Sequence, residues 1–369
     1  MRRTALTLTL VLALSGAYQF ADAQTGASEP YKLGTFKQSG RQFLGVVLGD
    51  TRAVDLPKAN ADYESRNPSA KKLIMPGDMV ELIKRYDSEL KPRLVAIAGD
   101  VARAAKPPAY VYEVASLETL PPVRPSIILN GGGNYNEHTE GIAAQQQRSG
   151  AAAPAPAATP ASVSLPGIWL RKPGDPRQNP YLFLKSPTTV AGPFDPIRMP
   201  VGRKNIDFEC EFNIVIGKTA DHVPLDRAAD HIFGYTIQID VSDRGGRGDR
   251  KMGGSDWLVG KNHDTFAPLG PFIVPKEFLA DPLNVKQTFT LNGTVMQDSN
   301  TNRMTHDIYE LLHFASNILT LSPGDLISGG SPAGTNIERA EPRWMRAGDT
   351  AVCSLEGIGT QKHAVVATP

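Results

Sequence analysis

Apolar residues recur along the chain in short runs that close on turn formers. YLFLK (181–185), CEFNIVIG (210–217), GYTIQIDVS (234–242), FIVP (272–275), TFTLNG (288–293) and AVCSLEGIG (351–359) hold β-branched or aromatic residues over a strand's length. Their composition predicts strands. FLGVVLGD (43–50) and RAVDL (52–56) predict an earlier group of short strands, followed by a helix around Met75 to Tyr86. A later helix is predicted from Thr305 to Leu319, where Ile308, Leu311, Leu312, Ala315 and Leu319 recur at helical spacing. PPVRPSIIL (121–129) reads as a proline-punctuated link into a buried strand, and SPGDLISGG (322–330) as a turn into another. Asn292-Gly293, between two strand-like runs, predicts a hairpin turn rather than a glycosylation site. The pattern predicts an α+β, mostly β protein. A small mixed N-terminal domain (24–120) precedes a larger mixed β-sheet roll (121–369) that holds its chemistry at an open end.

Two stretches depart from this pattern. Residues 143–166, AAQQQRSGAAAPAPAATPASVSLP, are low-complexity Ala/Pro/Ser/Gln that can bury little and are expected to form a mobile insert. The first 23 residues read as a signal peptide: Arg2 and Arg3, an apolar run, then Ala21-Asp22-Ala23 before Gln24. The expectation is an exported protein, periplasmic in a bacterium, that is free of the membrane after cleavage. An oxidising destination makes Cys210 and Cys353 candidates for a disulfide. Strand alternation turns Cys210 into the packing layer, where a free thiol behaves as a small hydrophobe, and free thiols are the expectation.

Charge narrows the function. With 39 basic and 38 acidic residues, a formal charge of +1, nothing draws the chain to a nucleic acid or an anionic membrane. Charge-driven chemistry must be local. Glu209 and Glu211 lie two apart on a strand and therefore leave the same face, where side-by-side carboxylates repel unless a cation or water separates them. Asp240 ends another strand-like run. Three carboxylates without histidine or cysteine favour a hard cation, Mg2+ first, then Mn2+ or Ca2+.

The text around these acids is more specific. NYNEH (134–138), YLFLKSPTT (181–189), DFECEFNIVIGK (207–218), GYTIQIDVSDR (234–244), WLVGKNHDTFAPLGPF (257–272), LNGTVMQ (291–297), LSPGDLISGGSPAG (321–334) and GDTAVCSLEGIG (348–359) occur in this order. Together they resemble the fumarylacetoacetate hydrolase family, with its patterns NYxxH, LFxKP, DYExELxxxIG, NDxSARD, WxxxKSFDTFxPLGP, NGxxxQ and PGDxxxTGTPAG. The resemblance implies that Glu209, Glu211 and Asp240 bind Mg2+ or Mn2+. It implies that Lys261 places an ammonium where negative charge develops, that Arg244 clamps a substrate carboxylate, and that Tyr135 and Ser331 belong to the substrate site. His138 resembles the lid histidine that acts as general base, held by a glutamate three residues later. Position 141 is glycine here, leaving Glu140 as the candidate partner if the lid is kinked. The run Gly131-Gly132-Gly133 suits a lid hinge. Arg247 replaces the family's glutamine and is expected to favour a substrate with an extra carboxylate.

The resemblance implies a metal-dependent hydrolase that cleaves a C–C bond in a small 2-oxo or 1,3-dicarbonyl acid, such as an acylpyruvate, through a metal-chelated enolate. The same enolate serves an isomerase, tautomerase or decarboxylase of diacids from aromatic catabolism. An exported, non-catalytic binding protein is the reading of another class. Family members are commonly homodimers, which the resemblance extends to this chain.

Overall fold

A computed structural model describes residues 28–148, 167–169, 175, 177–247 and 256–368. The expected signal peptide lies outside the described residues, as do 149–166 of the low-complexity stretch. Residues 143–148 of that stretch are helical: they complete the helix Asn136–Arg148 and so correct the expectation of an unstructured insert there.

Residues 28–120 build a five-stranded antiparallel sheet in the spatial order Val111–Glu113, Arg52–Asp55, Arg41–Leu48, Lys32–Gln38, Glu118–Leu120. Tight turns set its register, two residues long at Ser39-Gly40 and three at Gly49-Asp50-Thr51. Ser39-Gly40 and Gly49-Asp50 all have positive φ, matching the twist of the strands they join. Three α-helices pack against this sheet: Leu56–Arg66, Met79–Arg85 and Lys91–Arg103. The last two run through a π turn at Tyr86–Leu90; the helix predicted around Met75 to Tyr86 starts at Met79, behind an Asp78 cap, and continues beyond Tyr86. The first has little apolar periodicity and starts from an Asp55 cap with Pro57 in the opening turn.

A six-stranded mixed sheet forms the centre of the molecule, ordered Val274–Pro275, Ile232–Ile239, Cys210–Ile216, Leu326–Ser328, Ile128–Gly131, Leu182–Lys185. Only the pairing of Leu326–Ser328 with Ile128–Gly131 is parallel. A second five-stranded sheet runs Thr294–Asn300, Lys286–Leu291, Thr350–Leu355, Gly359–Ala367, Ile197–Met199. Its first two strands turn through Asn292-Gly293, both at positive φ, as the sequence predicts. The two sheets share one core, in which Phe208 stacks on Phe289 at 4.2 Å. The predicted later helix forms over Ile308–Ser316, started by Asp307, which accepts hydrogen bonds from the backbone of Tyr309 and Glu310. The fold is α+β and mostly β.

Cys210 and Cys353 form a disulfide across this core, which corrects the expectation of free thiols. Alternation does turn Cys210 inward, but the facing strand presents Cys353 at a Cα separation of 5.6 Å, within bridging range. The N-terminal sheet is tied to the central one by a continuous apolar cluster in which Leu33, Val46 and Leu82 meet Val215, Phe233, Ile273 and Leu326.

Candidate functional site

The three acids predicted as ligands converge. Glu209 immediately precedes the strand Cys210–Ile216, and Glu211 lies within it. Asp240 follows Ile232–Ile239, and its N–H donates to the Glu209 carbonyl at 2.8 Å, which continues the ladder past its last regular pair. Antiparallel register thus places the acids side by side on one face. One oxygen from each lies within 4.8 Å of the others, and all three residues are buried.

Cations surround them. Lys261 Nζ donates to Glu209 Oε2 at 2.6 Å, Asp240 Oδ2 at 2.5 Å and Ser242 Oγ at 2.8 Å. Lys185 Nζ bonds Asp240 Oδ1 and, at 3.1 Å, the Val241 carbonyl. Arg244 spans Glu209 and Asp207. The electrostatics are uneven. Burial raises Glu209, but Arg244 and Lys261 outweigh it and hold its carboxyl below the usual range. Burial, then the Asp240 and Glu209 charges, push Glu211 well above that range. Burial works against the Lys261 ammonium, yet Asp240 and Glu209 keep it above its ordinary value, whereas burial pulls Lys185 below.

Glu211 is where the cluster is incomplete. Its Oε2 accepts from Asn130 at 2.7 Å and from Ser328, while its buried Oε1 has no hydrogen-bond partner. An orphaned carboxylate oxygen, crowded by two further carboxylates in an all-oxygen donor set, fits a hard divalent cation.

His138 sits in the first turn of Asn136–Arg148, buried, with Nδ1 2.5 Å from Glu338 Oε1. This corrects the expected partner. Glu140 is exposed, because a side chain two positions along a helix points elsewhere. Glu338 ends the turn Asn336–Glu338, where its carboxylate accepts from the N–H groups of Gly334 and Thr335 and from Thr335 Oγ1. Burial raises Glu338, but His138 and those donors prevail and keep it below its ordinary value. Gly141 explains the departure from the family pattern. A Cβ there would lie 2.8 Å from Glu338 Oε2, so glycine leaves the space that this carboxylate fills. Thr335-Asn336-Ile337-Glu338 is readable as a capping box, but nothing local in the sequence joins it to His138.

The remaining predicted residues separate. Arg244 is at the cluster, engaged with two acids. Tyr135 is wholly buried and its hydroxyl accepts from Gln287 Nε2 at 2.9 Å. Ser331 is buried and accepts from Gln297 Nε2 at 3.0 Å. Arg247 is exposed and pairs at 2.9 Å with Asp256, the N-cap of the short helix Trp257–Lys261. Sequence reasoning gave no role to Lys185, Asp207, Asn130, Ser328 or Glu338. Lys185 carried a signal: a lysine two positions from Phe183, on the inward face of an apolar strand.

The pattern of the fumarylacetoacetate (FAA) hydrolase C-terminal family matches residues 131–366. The chain belongs to this family. Among curated relatives, the mitochondrial oxaloacetate tautomerase fahd2 of Xenopus laevis is 39% identical over 189 residues, covering 51% of this chain and 59% of that protein. The bovine mitochondrial oxaloacetate tautomerase FAHD2A is 40% identical over 191 residues, 51% of this chain and 60% of its own length. The match therefore spans less than two thirds of these relatives. Among solved structures, maleylpyruvate hydrolase from Sphingobium sp. SYK-6 in complex with manganese(II) and pyruvate is 26% identical, with a TM-score of 0.62 over 92% of this chain and 100% of that one. Fumarylacetoacetate hydrolase from Exiguobacterium antarcticum is 25% identical, with a TM-score of 0.66 over 92% and 100%. The family comprises enzymes acting on small molecules, and in this member it keeps a three-carboxylate cluster fit for a metal ion.

Proposed function

We propose that this family member is a Mg2+- or Mn2+-dependent enzyme that moves a proton on a small 2-oxo acid, interconverting its keto and enol forms. The observation that carries the reading is the placement of two proton-handling groups. His138 comes from the lid helix and Lys261 from the floor, where it bonds two of the three clustered acids. A cation held by Glu209, Glu211 and Asp240 would supply Lewis acidity toward the oxygens of a 2-oxo carboxylate. Glu338, kept ionised, accepts the Nδ1 proton of His138, which leaves Nε2 as the acceptor for a proton from the carbon beside the carbonyl. Lys261, held protonated, offers positive charge to the oxygen on which charge accumulates; its three N–H donors already meet Glu209, Asp240 and Ser242, so donation to that oxygen requires release of one of them. The names of the tautomerase relatives favour a dicarboxylic substrate such as oxaloacetate.

Hydrolytic C–C cleavage is the second reading, favoured by the likeness to maleylpyruvate hydrolase. There the same His138 would activate water instead of taking a carbon-bound proton.

The protein, expressed with Mg2+ or Mn2+, is expected to accelerate oxaloacetate tautomerisation, followed by ultraviolet absorbance, and to stop with EDTA. Cleavage of an acylpyruvate without tautomerisation would establish the second reading. Ligand-dependent thermal stabilisation without turnover of either would instead make it a binding protein. We further propose that the chain works in an oxidising compartment after export. The apolar N-terminal segment and the Cys210–Cys353 bond support this, and N-terminal sequencing of the periplasmic fraction tests it.

A further inference from the structure

We propose that the Cys210–Cys353 disulfide is a positioning device for the cation site, holding the strand end that carries Glu209 and Glu211 against the second sheet. The inference rests on the cation reading above. Cys210 lies between the two acids, and strand alternation sends its sulfur to the face opposite their carboxylates.

The need for such a device follows from the ladder. On one side, Cys210 and Glu211 pair with Ile239 and Gln238. On the other side, pairing with Leu326–Ser328 covers only Asn213 to Val215. The acids therefore sit on a strand end with a regular neighbour on one edge only, since beyond Asn213 the other edge is met by the Gly329 N–H, which donates to the Phe212 carbonyl at 2.8 Å.

Anchoring comes instead from behind. Phe208 stacks on Phe289, and Phe289 pairs in register with Cys353. The Cys210 N–H donates to Gln297 Oε1 at 3.0 Å, while Gln297 Nε2 holds Ser331 and the Pro332 carbonyl. The disulfide is the covalent member of this set. It fixes the peptide between the two glutamates to the strand Thr350–Leu355, which takes no part in the cluster itself.

The test is Mn2+ titration by calorimetry and electron paramagnetic resonance, well below the unfolding midpoint. The full chain is compared with Cys210→Ala/Cys353→Ala, with Cys210→Ala/Cys353→Val, which restores volume, and with Ile97→Ala. Ile97 lies in the N-terminal core, so that variant lowers stability at a distance. The expected result is roughly tenfold weaker Mn2+ binding in the folded cysteine variants, the low end for loss of a group that orients ligands, and unchanged binding in Ile97→Ala. Equal binding by the wild type and the cysteine variants overturns the inference while leaving the cation reading intact. An equal loss in Ile97→Ala overturns it too, as would failure of both cysteine variants to fold, since a local role leaves the sheets packed without the bond. Absence of Mn2+ binding in the wild type would defeat the underlying cation reading instead.

Discussion

Glu338 makes His138 a usable base. Its carboxylate fixes which imidazole nitrogen keeps the proton, and it stays ionised because three donors besides His138 converge on it. Glu338→Gln is therefore expected to lower kcat by about 10²-fold, the scale of one positioned acid–base group, with Mn2+ affinity unchanged. A steady-state assay paired with a Mn2+ titration checks this; a change in affinity alone would relocate the role of Glu338. Gly141→Ala should act through the same carboxylate. Its new methyl would press on Glu338 Oε2, so kcat should fall while circular dichroism stays native. Native kcat in that variant would show that the carboxylate yields without cost.

At the scale of elements, much was legible in the sequence. Alternation at Glu209 and Glu211 gave the shared face, and Asn292-Gly293 gave the hairpin, because both depend on neighbours in the chain. The partner of His138 was not legible, since Glu338 reaches it across 200 positions. Nor was the disulfide. Alternation told which way Cys210 faces but not what stands opposite it.

One element also carries an acid-sensitive anchor. Glu310 in the helix Ile308–Ser316 pairs with Arg177 at 2.7 Å and with His306. Burial opposes its charge, but these partners win and pull it from 4.5 down to about 2. Because the folded value is the lower one, this stabilisation is present above the ordinary carboxylate value. It is lost as pH falls through the window between 4.5 and about 2. Thermal melts of Glu310→Gln should lose less stability than the wild type across that window. Parallel losses would assign the acid sensitivity elsewhere.

As a whole, the molecule is arranged so that a charged cluster can exist inside it. Four acids, Asp207 among them, and three cations lie buried or nearly so at one end of the central sheet, and apolar clusters fill the space behind. The N-terminal sheet belongs to this support. Leu326, in the strand beside the ligand strand, packs into the cluster it shares with Leu33 and Leu82. Leu326→Ala should cost about 2–5 kcal/mol and shift one cooperative calorimetric transition. Two transitions, with only one displaced, would mean that the N-terminal sheet unfolds separately.

The central claim is that Glu209, Glu211 and Asp240 hold one divalent cation beneath His138. Anomalous diffraction from crystals grown with Mn2+ tests it most directly. The account predicts one strong peak within coordination distance of all three carboxylates, with Glu211 Oε1 among its ligands. A well-ordered cluster with no peak, or a peak held by other residues, would contradict it.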